Sequence, residues 1–154
     1  MSDYTAGTTL NALDCPPAVS ASDATQINNP TNRSYIAGTP TVSVTFIAPT
    51  SGRVWIIVGG GVGNGSGSNR IFLAPEVRLN NSSGSVIVAP SAPAHGWGAF
   101  KGANAFYYGS RRTMLTGLTP GQTYYARVMY ECINDGGTDN GDIAYREIIV
   151  APAT

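Results

Sequence analysis

From Tyr35 to the end of the chain, short runs of β-branched and aromatic residues are separated every few positions by clusters of Gly, Pro and Asn. Residues 42–46 (VSVTF) alternate apolar with polar side chains, as a strand does when one of its faces is buried. Residues 53–58 (RVWIIV) form a nearly continuous apolar run, which is typical of a strand buried on both faces. No segment shows the period of an amphipathic helix. The pattern therefore predicts an all-β fold.

The number of such runs predicts the architecture. Further strands are expected at residues 71–79, 85–88, 105–108, 112–115, 122–132 and 143–150. A chain of 154 residues has room for one ordinary hydrophobic core. Roughly eight or nine short strands joined by short turns predict a single β-sandwich, with either jelly-roll or immunoglobulin/fibronectin-III-like connections. The residues alone leave the strand order open between these two.

Residues 1–34 differ from the rest, because their apolar side chains are too scattered for a strand or for a helix of useful length. We interpret them as an extended N-terminal docking arm, followed by a sandwich domain of residues 35–154. An ordered arm without its own core must bury its apolar residues on its own domain or on a partner. The candidates for such assembly contacts are Tyr4, Leu10, Leu13, Val19 and Ile27.

Charge and composition narrow the range of partners. Nine Lys plus Arg balance nine Asp plus Glu, and Lys101 is the only lysine. Nucleic-acid binding depends on clustered cations, so we expect no nucleic-acid partner, and we interpret the pair Arg111 and Arg112 as a solvated face. No apolar run approaches the ~18 residues of a membrane span, and no leader pattern marks the start, so no membrane partner is expected either. Without a leader, Cys15 and Cys132 are expected as thiols rather than as a disulfide.

Residues that could carry catalysis are scarce. His95 is the only histidine, whereas zinc and hydrolase sites draw on several His, Cys or carboxylate groups. The glycine-rich residues 59–69 are not followed by the Lys and Ser or Thr that open the helix of a phosphate loop, so we interpret them as a flexible hairpin loop. Residues 134–142 (NDGGTDNGD) hold enough oxygen ligands for a weak calcium site, but a plain hairpin loop is favoured. The sequence therefore predicts no catalytic centre, cofactor or metal, and a small hydrolase with an atypical carboxylate site is the least favoured alternative.

Aromatic residues crowd residues 95–108. Solvent-facing aromatic rings beside polar groups can stack on sugars or on partner proteins. Large aromatic side chains are more often buried, so packing into the sandwich or into a subunit interface is favoured over a glycan platform. The candidate ligand or interface residues are Trp97, Phe106, Tyr107 and Tyr108.

Residues 115–128 (LTGLTPGQTYYARV) carry the most specific local pattern. A strand end, a Pro-Gly turn and then a tyrosine resemble the tyrosine corner of fibronectin type III and related sandwiches, in which the phenol hydrogen-bonds back to the corner backbone. The predicted structural residues are Leu118, Pro120, Gly121 and Tyr124. Alternation along the strand then points Tyr124, Ala126, Val128 and Tyr130 inward, and Tyr125, Arg127 and Met129 outward.

Four segments together carry a resemblance to a known group. They are YTAGTTLNA (residues 4–12), YIAGTP (35–40), FIAPTSGRV (46–54) and the corner at 115–128. In these segments the chain resembles small β-sandwich virion proteins of tailed bacteriophages, especially those of actinobacterial hosts, over residues 4–152.

The resemblance implies a non-catalytic accessory component on the exterior of the capsid or tail, meaning a minor tail or fibre protein or a capsid decoration protein. It also implies other virion proteins as partners and a homo-oligomer, with a trimer favoured. The chain lacks the shaft or collagen-like repeat of a long fibre, which favours a compact knob docked by its arm. The alternative function is a carbohydrate- or receptor-binding module that uses the aromatic residues 95–108, with a host-surface glycan as its ligand.

Overall fold

The computed structural model describes residue 9 and residues 11–64, 70–100, 105–133 and 141–153. Two antiparallel sheets pack face to face as a β-sandwich, which confirms the predicted fold class. The strands are β1 (Val19–Asp23), β2 (Ile27–Asn28), β3 (Ile36–Ala37), β4 (Ser43–Ile47), β5 (Val54–Asn64), β6 (Arg70–Leu79), β7 (Val86–Val88), β8 (Trp97–Phe100), β9 (Ala105–Leu115), β10 (Thr123–Ile133) and β11 (Gly141–Pro152), and one short helix is α1 (Ala92–His95).

The strand order is that of a jelly roll. The first sheet has the order β1-β11-β5-β9, with β2 also paired to β11. The second has the order β3-β10-β6-β7, with β4 paired to β10 and β8 paired to β6. Consecutive short strands that pair with the same neighbour act as one interrupted strand, so each sheet has four positions. The chain changes sheet from each position to the next, except from β6 to β7 and β8, which lie in the same sheet. This is the eight-position order of jelly rolls, and it settles the choice that the sequence left open.

The core lies between the two sheets, where the inward residues of each strand meet. Its fully buried members include Ile56 and Val58 on β5, Leu73 on β6 and Ile148 on β11. These residues come from runs that the sequence pattern assigned to strands. No helix in the described ranges is long and apolar enough to cross a membrane.

Strand β5 extends six residues further into the glycine-rich run than expected. The interpretation of residues 59–69 as a loop is wrong for 59–64, while residues 65–69 lie outside the described part of the chain. The reason is pairing on both sides: β5 forms a ladder with β11 and another with β9 along its whole length. A Cβ added at Gly61 would lie 2.5 Å from the ring of Tyr108, and one at Gly60 would clash with the carbonyl oxygen of Tyr145. These positions hold glycine because neighbouring groups fill the space, and not because the chain must turn there.

The expectation that residues 1–34 contain no strand is also wrong. β1 pairs antiparallel with β11, from Val19 opposite Val150 to Asp23 opposite Arg146, and β2 continues on the same neighbour. The alternation of Val19 and Ala21 with serines is too weak a signal by itself, and the edge of β11 supplies the missing hydrogen bonds.

Two smaller differences concern the middle of the chain. The separate strands expected at 105–108 and 112–115 are one continuous strand, β9. Between the strands expected at 85–88 and 105–108, where no element was predicted, the chain forms α1 and β8. The first turn of α1 is capped by the Ser91 hydroxyl, which accepts the N–H of Ala94 at 3.4 Å. Cys15 is exposed and Cys132 is buried, and they form no disulfide, as the sequence favoured.

Candidate functional site

The groups that could support catalysis or metal binding are dispersed in the structure. Within the described ranges, no three His, Cys, Asp or Glu side chains lie close enough to hold a metal ion. Most of the calcium candidate at 134–142 falls outside those ranges, and only Gly141 and Asp142 are described, as the start of β11. The side chain of Asp142 accepts the backbone N–H of Asn29 at 3.0 Å, which fastens the end of β2.

His95 stands at the end of α1 beside Arg111. Burial and the positive charge of Arg111 lower the pKa of His95 below its ordinary value. The guanidinium of Arg111 donates from Nη1 to the carbonyls of Ala92 at 3.1 Å and Pro93 at 2.9 Å. Arg111 is therefore more than the solvated charge that the sequence indicated, because it ties α1 to β9 and adds to the effect of burial in lowering the pKa of His95.

The candidate arm residues fall into two groups. Tyr4 and Leu10 lie outside the described residues. Val19 and Ile27 are half-buried and pack against the core of this same chain. Leu13 is half-buried, and its carbonyl accepts a backbone N–H from the turn between β4 and β5 at 3.0 Å. The described part of the segment is therefore fastened to its own sandwich.

A buried ion pair that no sequence motif predicted fixes β1 to the core. Arg146 on β11 is completely buried, and its Nη2 donates to Oδ2 of Asp23 at 2.7 Å. Its Nη1 donates to the carbonyl of Pro40 at 3.1 Å, and its Nε has no hydrogen-bond partner. A Cβ at Gly38 would overlap the guanidinium, so this glycine makes the room for it.

A β-bulge turns Arg146 inward. The register of β11 against β5 shifts between Ile143 and Tyr145, which inserts one residue and reverses the alternation beyond it. Arg146 then shares the inward face with Ile148 and Val150. The spacing of two residues between Arg146, Ile148 and Val150 is visible in the sequence, and it is the signal that could have identified a buried arginine.

A second ion cluster lies on the outer face of the other sheet. Glu76 on β6 is only 5% exposed, and its Oε1 accepts from Nε of Arg78 at 2.6 Å and from Nε of Arg127 at 2.8 Å. Burial opposes ionisation of Glu76, but the two arginines outweigh it and lower the pKa of the carboxyl. The cluster joins β6 to β10 across their ladder, in which Arg127 pairs with Glu76.

The predicted corner residues lie where the chain passes from β9 to β10, between the two sheets. The hydroxyl of Tyr124 accepts the backbone N–H of Thr119 at 3.0 Å. Leu118 is buried, Gly121 has a φ of +75°, and Pro120 precedes it in the turn. The geometry is structural, since a closed corner fixes the spacing of the two sheets.

One residue on the outward face of β10 is buried as well. The side chains of Tyr124, Ala126, Val128 and Tyr130 are buried. Met129, expected outward, is only 6% exposed, because it lies on the middle strand of its sheet with Ala37 on one side and Ala74 on the other.

The four aromatic candidates do not form one platform. Trp97 is half-buried against the core, and a Cβ at Gly109 would lie 2.7 Å from its indole. Tyr108 is the strand neighbour of Gly109, so its side chain projects to the opposite face of β9. Phe106 shares the outer face with Tyr108, while Tyr107 shares the inner face with Gly109. The side chains of Phe106, Tyr107 and Tyr108 are 39%, 44% and 68% exposed.

Comparison with known proteins shows likeness in fold. No protein-family model and no curated protein matches the chain. A chain in the crystal structure of the T13 particle of infectious bursal disease virus matches with a TM-score of 0.53 and 12% identity, covering 88% of this chain and 31% of that one. A chain from the Gx strain of the same virus matches with a TM-score of 0.52 and 12% identity, covering 88% of this chain and 32% of that one. The chain thus spans about a third of the length of these structures.

Proposed function

We propose that this chain is a structural component of a virus particle, held by contacts with other virion proteins and without a catalytic step. The observation that most supports the proposal is the jelly-roll strand order, an architecture that capsid proteins use to build shells. The likeness to chains of an icosahedral virus particle, across 88% of this chain, adds to it. Jelly rolls also occur in lectins and cupins, so the fold supports the role without being specific to it.

The finer proposal follows the sequence resemblance. The chain would be an accessory protein on the exterior of a tailed-phage capsid or tail, a homotrimer attached through its N-terminal segment. Because residues 11–28 are already bonded to their own sandwich, we assign the attachment to residues 1–10, with Tyr4 and Leu10 as anchors. An extended segment can add main-chain hydrogen bonds to a neighbouring subunit, which makes it a suitable tether.

The test is a short truncation of the full chain in its native particle. Removing all of residues 1–34 would also remove Asp23 and leave Arg146 buried without its counter-charge, so the effects would be mixed. Deleting residues 2–10 avoids this problem. We expect an unchanged unfolding temperature and loss of the chain from purified particles.

The matched control keeps the length of the segment and changes only its order. Residues 2–10 are replaced by the same residues in scrambled order, which displaces the side-chain anchors Tyr4 and Leu10. We expect this variant to be lost from particles as well. Incorporation of the deletion variant at the wild-type copy number would overturn the proposed attachment. Failure of either variant to fold would show that residues 1–10 belong to the sandwich, which also contradicts it.

One observation favours a second function, a carbohydrate- or receptor-binding module. Tyr108 is 68% exposed on the outer face of a sheet, where an aromatic ring can stack on a sugar. Trp97 takes no part in this second function, since it packs against Gly109 on the inner face of β9. Binding of the wild-type chain to a glycan array, lost in Tyr108→Ala and kept in Tyr107→Ala, would support this function, and a blank array would dispose of it.

A further inference from the structure

The outer edge of β9 pairs with none of the described strands. β9 is the last strand of its sheet, and all of its residues from Ala105 to Leu115 pair with β5 on one side only. No backbone hydrogen bond outside the strand ladders involves residues 105–115 in the part of the chain that the structure describes. Long edge strands with unpaired N–H and C=O groups are ready to pair with another strand, and proteins usually protect them. This edge is eleven residues long, whereas β1 at the opposite edge has five.

The side chains along this edge are apolar and exposed. Phe106, Tyr107, Tyr108 and Met114 are 39%, 44%, 68% and 40% exposed, and they account for half of the exposed large hydrophobic residues in the described ranges. Exposed apolar residues that occur singly need no explanation, but four on one open strand indicate a contact surface.

The strand is self-complementary about its middle residue, Ser110. Its first half is aromatic, and its second half carries Arg111 and Arg112. If two copies of β9 pair antiparallel with Ser110 opposite Ser110, every residue of the strand gains a partner. Phe106 then meets Met114 of the other copy.

In the same register, Tyr108 meets Arg112. The guanidinium of Arg112 already lies over the indole of its own Trp55, 4.6 Å from the ring centroid, so a second ring would extend an existing cation–π contact. Directly opposed residues must share a face, so the next allowed registers centre on Gly109 or Arg111. The first leaves Met114 and Leu115 without partners, and the second sets Arg111 against its own copy.

We propose that β9 pairs with β9 of a second copy of this chain across a two-fold axis at Ser110. The contact is isologous, because the same residues serve on both copies. It joins two four-position sheets into one continuous sheet and covers the exposed aromatic residues. This two-fold contact pairs free chains in solution, whereas the proposed trimer forms on the particle through residues 1–10. Neither inference depends on the other, so either can fail alone.

A cysteine at the axis tests the register directly. In a Cys15→Ser background, which removes the exposed native thiol, Ser110→Cys places two thiols opposite each other. Opposed residues in an antiparallel pair have Cα atoms about 4.5–5.5 Å apart, within the range that a disulfide spans. We expect mild oxidation of the dilute protein to give a covalent dimer on a non-reducing gel.

The matched control is Arg112→Cys in the same background. Its two copies would be offset by four positions, roughly 13 Å along the strands, which is too far for a disulfide. A mixture of Tyr108→Cys and Arg112→Cys chains should instead give the crosslinked heterodimer. Equal crosslinking of the Ser110→Cys and Arg112→Cys chains, or none with Ser110→Cys, would overturn the proposed pairing.

A charge test needs no crosslink and leaves the fold intact, because Tyr108 is mostly exposed. Tyr108→Arg places a cation opposite Arg112 of the other copy, and Tyr108→Glu places an anion there. We expect sedimentation equilibrium to show a dimer for wild type, with a dissociation constant about fivefold higher for Tyr108→Arg than for Tyr108→Glu. At about 100 µM, a dimer with a binding free energy of −5.5 kcal/mol is half-populated. A wild-type chain that stays monomeric at this concentration would refute the proposal and would indicate that a different molecule pairs with this edge.

Discussion

The buried pair of Arg146 and Asp23 predicts that its two members are unequally costly to remove. The Arg146 side chain is 0% exposed, while that of Asp23 is 17% exposed. Asp23→Asn leaves the guanidinium charged, buried and without its counter-ion, since its only other described hydrogen bond goes to the carbonyl of Pro40. Stranding a buried charge costs about 3–5 kcal/mol, and we expect a loss of free energy of unfolding in that range.

Arg146→Met removes the charge itself and keeps most of the stem's apolar volume. Asp23 is then left without its partner, but water reaches it, and the hydroxyl and N–H of Thr25 still donate to it at 3.0 Å. We expect a smaller loss, about 1–2 kcal/mol. The double variant should be close to Arg146→Met alone, because Asp23→Asn does little harm once the guanidinium is gone.

Urea denaturation with linear extrapolation measures these differences, and Arg112→Met serves as an exposed control. The expected order of stability is wild type, then Arg146→Met, then Asp23→Asn. An Asp23→Asn variant as stable as Arg146→Met, or a double variant whose loss equals the sum of the two single losses, would refute the reasoning that the buried charge dominates.

Three further changes test other parts of the fold by the same denaturation. Tyr124→Phe removes the hydroxyl that closes the corner and should cost about 1–2 kcal/mol, and an unchanged midpoint would contradict that role. Glu76 has a pKa lowered in the folded state, despite burial, by its arginine partners, so its contribution is complete above the ordinary glutamate pKa of about 4.3 and is lost as the pH falls through the lower folded value. The difference in free energy of unfolding between wild type and Glu76→Gln should thus be constant near neutral pH and should shrink in acid. A difference that grows in acid would contradict the lowered pKa. In Gly60→Ala the new methyl group meets a backbone carbonyl, and we expect a loss of about 1–3 kcal/mol in the free energy of unfolding. Gly61→Ala meets only the exposed ring of Tyr108, which can move, so its loss should be smaller. Equal losses would contradict this difference between the two sites.

The sequence predicted the fold class because alternation is a local signal. Alternating apolar and polar residues indicate one buried face both in residues 42–46 and along β10, and the number of strands excludes a helical fold. Strand order is not local, because it depends on which distant strands share hydrogen bonds. Both sandwich types fit the same runs, so the structure was needed to choose the jelly roll.

The wrong predictions for residues 59–64 and for β1 have one physical origin: where the local sequence signal is weak, the neighbouring strands determine the secondary structure. Gly60 and Gly61 favour a loop in isolation, but strands on both sides and the surrounding side chains hold them extended. The apolar–polar alternation in β1 is weak. The strand forms because the edge of β11 pairs with it and because Asp23 forms an ion pair with the buried Arg146.

The candidate site was predicted only in part. The corner at Tyr124 has a local motif, so its geometry could be anticipated from the turn residues. Which aromatic rings share a face could not, because Trp97 and Tyr108 belong to different sheets and their relation depends on how β8 crosses β9. The arm anchors Tyr4 and Leu10 remain predictions.

The proposed role is tested most directly by counting this chain in purified particles. Quantitative mass spectrometry of gradient-purified virions, from cells that produce the chain naturally, gives its number per particle, and three-dimensional image reconstruction gives its position. The proposal predicts a fixed copy number that is a multiple of three, at symmetry-related positions on the exterior. A chain found only in the particle-free fraction, or in amounts that vary between preparations, would contradict a structural part in the virion.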